Sequence, residues 1–421
     1  MTCSLSRITS GGRFKAILFA MCLGCTAAFA WGANAPLKLT VLPHDENRRF
    51  VVAEYTVPAD RLTPPFNLRG EKGQPVFFHM EPTKGGNIVR WIIRELAANE
   101  ALTFTLADGI PLPRFTSLPV DTSHLLTLIE NPAGFISIRN VDHEITRFHT
   151  GSDLGKFKRP YFYPVMVQGV SITRSFPMET KANEERDHPH HTGVWFTHGE
   201  VNGKDYWAKL NIDHKRFVKK EAGRAYVQLT SESNWGTDLS EVTDIRIYDA
   251  GQDSLMDWTI TLTAENGPVH LGKTKEGGMS VRVATGITAP EPNRQDQAGR
   301  GVGKMIDSDG NKGEPAIRDD KGTRKQAAAW ADDYGVVDGK TVGVAIMNHP
   351  TSWRYPTNWH VRNYGLFAAN AFFIQGEHNM KKGESITLKY RLYFHGGDPI
   401  EAKVAEVYAG YAKVKVVVES K

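Results

Sequence analysis

Cysteine is nearly missing from this chain of 421 residues: it has three, Cys3, Cys22 and Cys25, all near the N-terminus. Once that segment is removed, no disulfide, thiolate metal site or cysteine nucleophile remains, and a hydrophobic core must hold the fold. Long apolar runs are lacking too. Residues 16–25 (AILFAMCLGC) are too short to span a bilayer, which takes about 20 residues, and no later run is longer. That run follows Arg7, Arg13 and Lys15 with no acid among them, and it precedes Ala28-Phe29-Ala30. Charge, then apolar residues, then small residues is the order of a secretory signal over residues 1–30. A lipoprotein anchored at Cys25 is the alternative, but Cys22 stands where a lipid-attachment signal wants Leu. Cleavage near Ala30 is expected, giving a periplasmic or secreted product with no membrane contact afterwards.

An excess of either charge is absent as well. Without the three basic signal residues, 48 Lys and Arg face 47 Asp and Glu. No basic stripe stands out, so nucleic acid is not an expected partner. Helical periodicity is scarce. Ile400–Ala412 reads as a helix, with Val404, Val407, Tyr408 and Tyr411 on one stripe.

What is present is strand after strand. Leu37–Leu42, Phe50–Tyr55, Leu102–Leu106, Leu125–Ile129, Phe135–Ile138, Ala225–Leu229, Ile245–Tyr248, Leu255–Thr263 and Thr341–Met347 are short and mostly rich in β-branched or aromatic residues. In Trp258-Thr-Ile-Thr-Leu-Thr263 the apolar–polar alternation is strict, as in a strand with one wet face. The turn-rich segment at 107–113 suggests a boundary between about 107 and 125. The expected organisation is all-β: a small β-sandwich domain (31–115), a large antiparallel β domain (125–398), and a C-terminal helix and tail (399–421). Residues 290–327, rich in Gly and charge, read as a long loop over one face, or as disorder.

Four of the fifteen histidines fall in Asp187-His-Pro-His-His-Thr-Gly-Val-Trp-Phe-Thr-His-Gly-Glu200. Pro189 disfavours a helix there, so His188, His190 and His191 belong to a loop. Val194, Phe196 and His198 then share one face of the strand that follows. Imidazole can serve as acid, base or metal ligand near neutral pH, and Glu185, Asp187 and Glu200 could add oxygen donors. The spacing fits no standard zinc motif, so the metal question stays open and no cofactor is indicated.

A second concentration runs from Asn348 to Tyr364, where Trp353, Tyr355, Trp359 and Tyr364 crowd around His349, Arg354, His360 and Arg362. Rings beside guanidinium donors suit a carbohydrate ligand; the bland alternative is core aromatics on a proline-rich loop. Glu276, within Lys273-Thr-Lys-Glu-Gly-Gly278, is a carboxylate that could lie against a ligand or simply sit in a solvated turn. Arg174, in Thr173-Arg-Ser-Phe-Pro177, either binds an anion or pairs with Glu184 or Glu185.

These stretches occur in a telling order. Tyr161-Phe-Tyr-Pro164, Thr173–Glu179, Asp187–His191, Trp195–Gly203, Thr274–Gly277, Asp338–Gly343 and Trp359–Asn370 together resemble the secreted PmoA-type family of unassigned function, found largely in bacteria that degrade polysaccharides. The likeness covers about residues 125–398. Thr192 departs from it, standing where an Arg is expected in many relatives. The methane-oxidising chemistry evoked by the label belongs to proteins on transmembrane helices, and no such helix is present. The resemblance implies instead a galactose-mutarotase-like supersandwich, with histidines and a carboxylate on a concave face acting on sugars. The reading that follows is a secreted carbohydrate-active lyase, hydrolase or epimerase. His190, His191, His349 and His360 with Glu276 are its candidate catalytic residues, expected in one pocket. Arg174, His198, Trp359 and Arg362 are its candidate substrate contacts, Trp359 as a stacking platform. A non-catalytic glycan-binding protein and a metal-dependent enzyme with histidine ligands are the alternatives.

Overall fold

In the computed structural model, residues 34–109, 126–141, 143–151, 157–291, 300–318 and 327–418 are described. The signal expected at 1–30 lies outside them. Two large antiparallel sheets dominate. The first has nine strands and runs, edge to edge, through Asn358–Val361, Leu366–Asn370, Gly277–Arg282, Val194–His198, Tyr161–Val167, Glu144–His149, Phe135–Arg139 and Thr127–Glu130, with Val170–Ser171 beside Tyr161–Val167. The second has eight: Asp213–Ala222, Tyr226–Trp235, Leu239–Ala250, Asp253–Thr263, Ser385–Gly396, Lys340–Asn348, Trp330–Val337 and Lys304–Asp307. The all-β supersandwich preceded by a smaller β unit is the architecture seen.

Period-2 patterning builds the interior. Trp258, Ile260 and Leu262 point into the main core, where Phe162, Val194, Phe196, Met279 and Val281 of the first sheet meet them. The intervening Thr261 and Thr263 face out and pair across the sheet with Thr387 (3.1 Å) and Ser385 (2.8 Å). Farther along the same sheet the outer face is covered rather than wet. There Tyr226, Tyr248, Leu255 and Tyr393 pack against Phe50 and against Val404 and Val407 of the helix Val404–Ala412.

The N-terminal unit has its own core, with Leu39, Val51, Val89, Trp91 and Leu106 enclosed between a three-stranded sheet (Arg48–Pro58, Gly86–Leu96, Phe78–Thr83) and a four-stranded one. The four-stranded sheet includes a strand from the far end of the chain. Val416–Val418 pairs antiparallel with Leu37–Val41, Leu39 opposite Val418. Arg48, almost fully buried, ties the two together by donating to the Leu42 carbonyl (2.8 Å) and the Lys413 carbonyl (3.0 Å). The tail expected at 399–421 is therefore partly a strand of the first unit. The segment read as a loop at 290–327 also contains structure: Lys304–Asp307 is an edge strand of the second sheet, and Glu314–Arg318 is a short helix.

Candidate functional site

Which residues reach the site is decided by the pleat of the first sheet. Neighbouring residues of a strand project to opposite faces. Val194, Phe196, Met279, Val281, Trp359, Val361, Phe367 and Ala369 go to the core. Trp195, Leu366 and Ala368 take the other face, where they cluster with Tyr161, Tyr163, Trp207 and Tyr364. His360 shares that outer phase because Trp359 and Val361 on either side of it are core residues. The expected stacking role of Trp359 is thereby corrected: it is 1% exposed, packs on Phe367, and donates its indole N–H to the Ala328 carbonyl at 3.3 Å. His198 is in the core phase too. It is fully buried, with its ring against Phe372 and its Nε2 3.0 Å from the Gly272 carbonyl.

The histidine loop lies over the outer face and is held by a buried ionic network. Arg174 donates to the Asp187 carboxylate, to the Phe176 carbonyl (3.0 Å) and to the His188 carbonyl (3.2 Å). Arg282 donates to Asp187 (2.6 Å) and Glu185 (3.3 Å), and Arg300 to Glu185 (2.9 and 2.8 Å). Thus Arg174, a candidate anion anchor by sequence, is spent on positioning the loop. Glu185 and Asp187, candidate metal ligands, are spent on arginines. Fixed in this way, the loop carries His188 in the left-handed region at φ 43°, a conformation unfavourable for a side chain with a Cβ. It also stacks four rings: Tyr364 on His188 (4.9 Å, 8°), His188 on His191 (4.8 Å, 9°) and His191 on Trp195 (5.3 Å, 23°). Arg282 Nη1 lies 3.4 Å from His191 Nδ1. A guanidinium can only donate, so Nδ1 accepts and the His191 ring hydrogen is assigned to Nε2.

Above this ladder opens a cavity of about 650 Å³. It is lined by His188, His190 and His191 from the loop, Asp205 and Trp207 from the following turn, and Thr274, Lys275 and Glu276 from the segment before Gly277–Arg282. Glu291, His360, Arg362 and Tyr364 line it as well, with Gly199, Ala208 and Leu366 filling in between. The structure therefore brings together His190, His191, Glu276, His360 and Arg362 of the residues singled out by sequence. His349 is not among them. It follows the second-sheet strand Lys340–Asn348, packs edge-on against Tyr411 (4.8 Å) and contacts Thr351 Oγ1 (2.9 Å), on the helix-covered side of that sheet. Asp205, Trp207 and Arg282 escaped sequence reasoning. Trp207 carried a weak signal as half of the Tyr206-Trp207 aromatic pair after a turn; Arg282 carried none.

Burial sets the protonation of the imidazoles. Desolvation, reinforced by Arg159 and His188, pushes His190 down to about 4. Desolvation, with Arg318, Arg362 and Lys275 adding to it, pushes His360 down to about 3. Desolvation and then the Arg282 charge hold His191 well below the ordinary range. All three are neutral at pH 7. Glu276 accepts a hydrogen bond from Thr274 Oγ1 (2.9 Å), and Lys275 Nζ is 3.7 Å from its other oxygen. Arg362 spreads its guanidinium near Tyr364, 5.5 Å from the ring centre, with its Nε 3.3 Å from Glu314. Among the described residues, no three His, Cys, Asp or Glu side chains are grouped so as to hold a metal ion together.

Two solved structures are similar to the chain. One is an alpha-mannosidase from Enterococcus faecalis V583, at 10% identity and a TM-score of 0.42, with 91% of this chain and 46% of that chain covered. The other is a protein in the glycosyl hydrolase family 38 from Enterococcus faecalis, at 12% identity and the same TM-score, with 93% and 48% covered. The chain spans less than half the length of either. No curated protein matches it. A family model does match, over residues 136–409, from the second described strand of the first sheet to the C-terminal helix, and the chain belongs to that family, a family of unknown function (DUF6807).

Proposed function

We propose that this protein is an exported, carbohydrate-active protein that acts on a sugar or oligosaccharide by proton transfer in the histidine cavity, as a lyase, hydrolase or epimerase. One observation carries the reading. Three segments spread over about 170 residues of sequence deliver three neutral imidazoles and a carboxylate to one concave, ring-lined space of about 650 Å³. That volume and that mixture of flat apolar rings with a few polar groups suit a small polyhydroxylated ligand. Titratable groups with strongly shifted protonation, gathered in a cleft, are a mark of catalytic sites.

The roles follow from the geometry. His191, with Nδ1 turned to Arg282, offers Nε2–H as a hydrogen-bond donor to a sugar oxygen or to charge developing on it. His190 and His360, neutral above about pH 4, are proton acceptors. Glu276 is the partner carboxylate, and Arg362 an anchor. Trp207 and Tyr364 take the stacking role expected of Trp359.

The test is to offer the purified protein a panel of neutral and uronic-acid saccharides and to follow turnover and binding. His190→Gln and His360→Gln should each lower turnover by ~10²–10⁴-fold with affinity largely kept. Ligand binding with no turnover would reduce the protein to a glycan binder, and a panel that neither binds nor turns over would overturn the reading.

A further inference from the structure

Next to the main cavity lies a smaller one of about 220 Å³, and His190 and Ala208 line both. Its other walls include Phe157, Lys158, Arg159 and Thr192, and no carboxylate is among the described residues that line it. Arg159 is 2% exposed. One of its terminal nitrogens donates to the Trp207 carbonyl, while the other, Nη1, is buried without an acceptor. Thr192 is 3% exposed, and its hydroxyl is likewise buried without a partner. A buried guanidinium N–H left unsatisfied is costly, and one on a residue that lines a pocket marks a place where a small side-chain shift can meet an acceptor from outside.

The other cations around the site have partners already. Arg174, Arg282 and Arg300 are engaged with Asp187 and Glu185, and Arg362 lies beside Glu314. The acid whose charge acts on Arg159 is Asp205. Its Oδ1 already accepts the backbone N–H groups of Trp207 and Ala208, each at 2.9 Å. Lys158 adds a second positive charge at the rim, its ammonium 2.8 Å from the Lys209 carbonyl. The pocket holds about seven times the roughly 30 Å³ share of one water, room for a charged substituent and part of the ring that bears it.

We propose that this pocket is a subsite for the negatively charged group of an acidic sugar, with Arg159 and Thr192 as its donors, so that the histidine cavity works on anionic saccharides. The inference rests on the reading of the main cavity as a sugar site. Its geometry ties specificity to chemistry, because a carboxylate seated at Arg159 brings the attached sugar ring against His190. The Arg159 charge helps to keep His190 unprotonated, and an anion beside it relaxes that repulsion as substrate binds.

The experiment is calorimetry with glucuronate and galacturonate, with glucose and galactose, and with inorganic sulfate as a competitor. Each is titrated into the wild type and into R159M and T192V. Uronates should bind about 10- to 100-fold more tightly than the neutral hexoses, the value of a charge-assisted hydrogen-bonded pair, and sulfate should compete. R159M should erase that gap with hexose affinity unchanged; T192V should narrow it by about fivefold. Should R159M not fold, T192V decides, and a gap it leaves untouched counts against the subsite. Equal affinity for acidic and neutral sugars in the wild type would overturn the proposal. If no sugar binds but sulfate does, in an Arg159-dependent way, the anion site stands and the sugar reading of the main cavity falls. Silence to every probe overturns both.

Discussion

His360 offers a measurement of site electrostatics that needs no substrate. The ring is 3% exposed and is held at about 3, against roughly 6.5 in an unfolded chain. Between those values the unfolded state binds a proton that the folded state does not, so stability falls as pH drops from about 6.5 toward 3. From pH 7.5 to 5.0 the loss through this one group is about 2 kcal/mol, at about 1.4 kcal/mol per pH unit over the 1.5 units below its unfolded value. That is a sizeable fraction of the ~5–15 kcal/mol of a typical domain. His360→Gln keeps a polar side chain of similar size but cannot titrate. Urea unfolding of both proteins at pH 7.5 and 5.0 isolates the term, because every other titrating group, including His395, whose pairing with Asp332 acts in the opposite direction, cancels in the comparison. The variant should lose about 2 kcal/mol less than the wild type on acidification. Equal losses, with equal denaturant slopes, would show that His360 is not held neutral by burial and that the proton-acceptor argument is unsound.

Two further outcomes are expected. Trp359→Ala should destabilise by about 3–5 kcal/mol through the cavity it leaves in the main core, yet leave the affinity of the folded protein for saccharide unchanged; thermal melts and calorimetry on one sample read both. Arg282→Met should cost about 3–5 kcal/mol, because the buried Glu185 and the half-buried Asp187 are left with one cation fewer, and should free the His191 tautomer, seen as altered ring ¹⁵N shifts in NMR.

Much of the fold could be read in the chain because strands announce themselves by alternation. Trp258–Thr263 runs through the second sheet in the phase its sequence shows, and the shared face of Val194, Phe196 and His198 is the core face. Alternation fixes relative phase but not which phase faces the core; that depends on the partner sheet. For this reason Trp359 and His360, adjacent in sequence, could both be named as site residues although the pleat admits one of them. His349 failed for a different reason: closeness in sequence to His360 says nothing once the chain crosses from one sheet to the other. Arg282, alone among apolar neighbours, and Arg159, one of three cations at 156–159, carry no pattern that marks them out, and their roles arise from what the fold sets beside them.

The strand Val416–Val418 has a consequence for how the chain is made. Leu37–Val41, and Leu102–Asp108 on its other side, leave the ribosome some 300 residues or more before Val416–Val418, which closes the free edge of Leu37–Val41. At ~5–20 residues per second the N-terminal sheet waits about 15–60 s with an open edge, and Arg48 waits as long for the Lys413 carbonyl. Folding of this unit is therefore not vectorial: the first unit of the chain is finished last, and a nonsense codon or a protease acting near residue 413 would strip Leu37–Val41 and Arg48, at the opposite end of the sequence, of these partners.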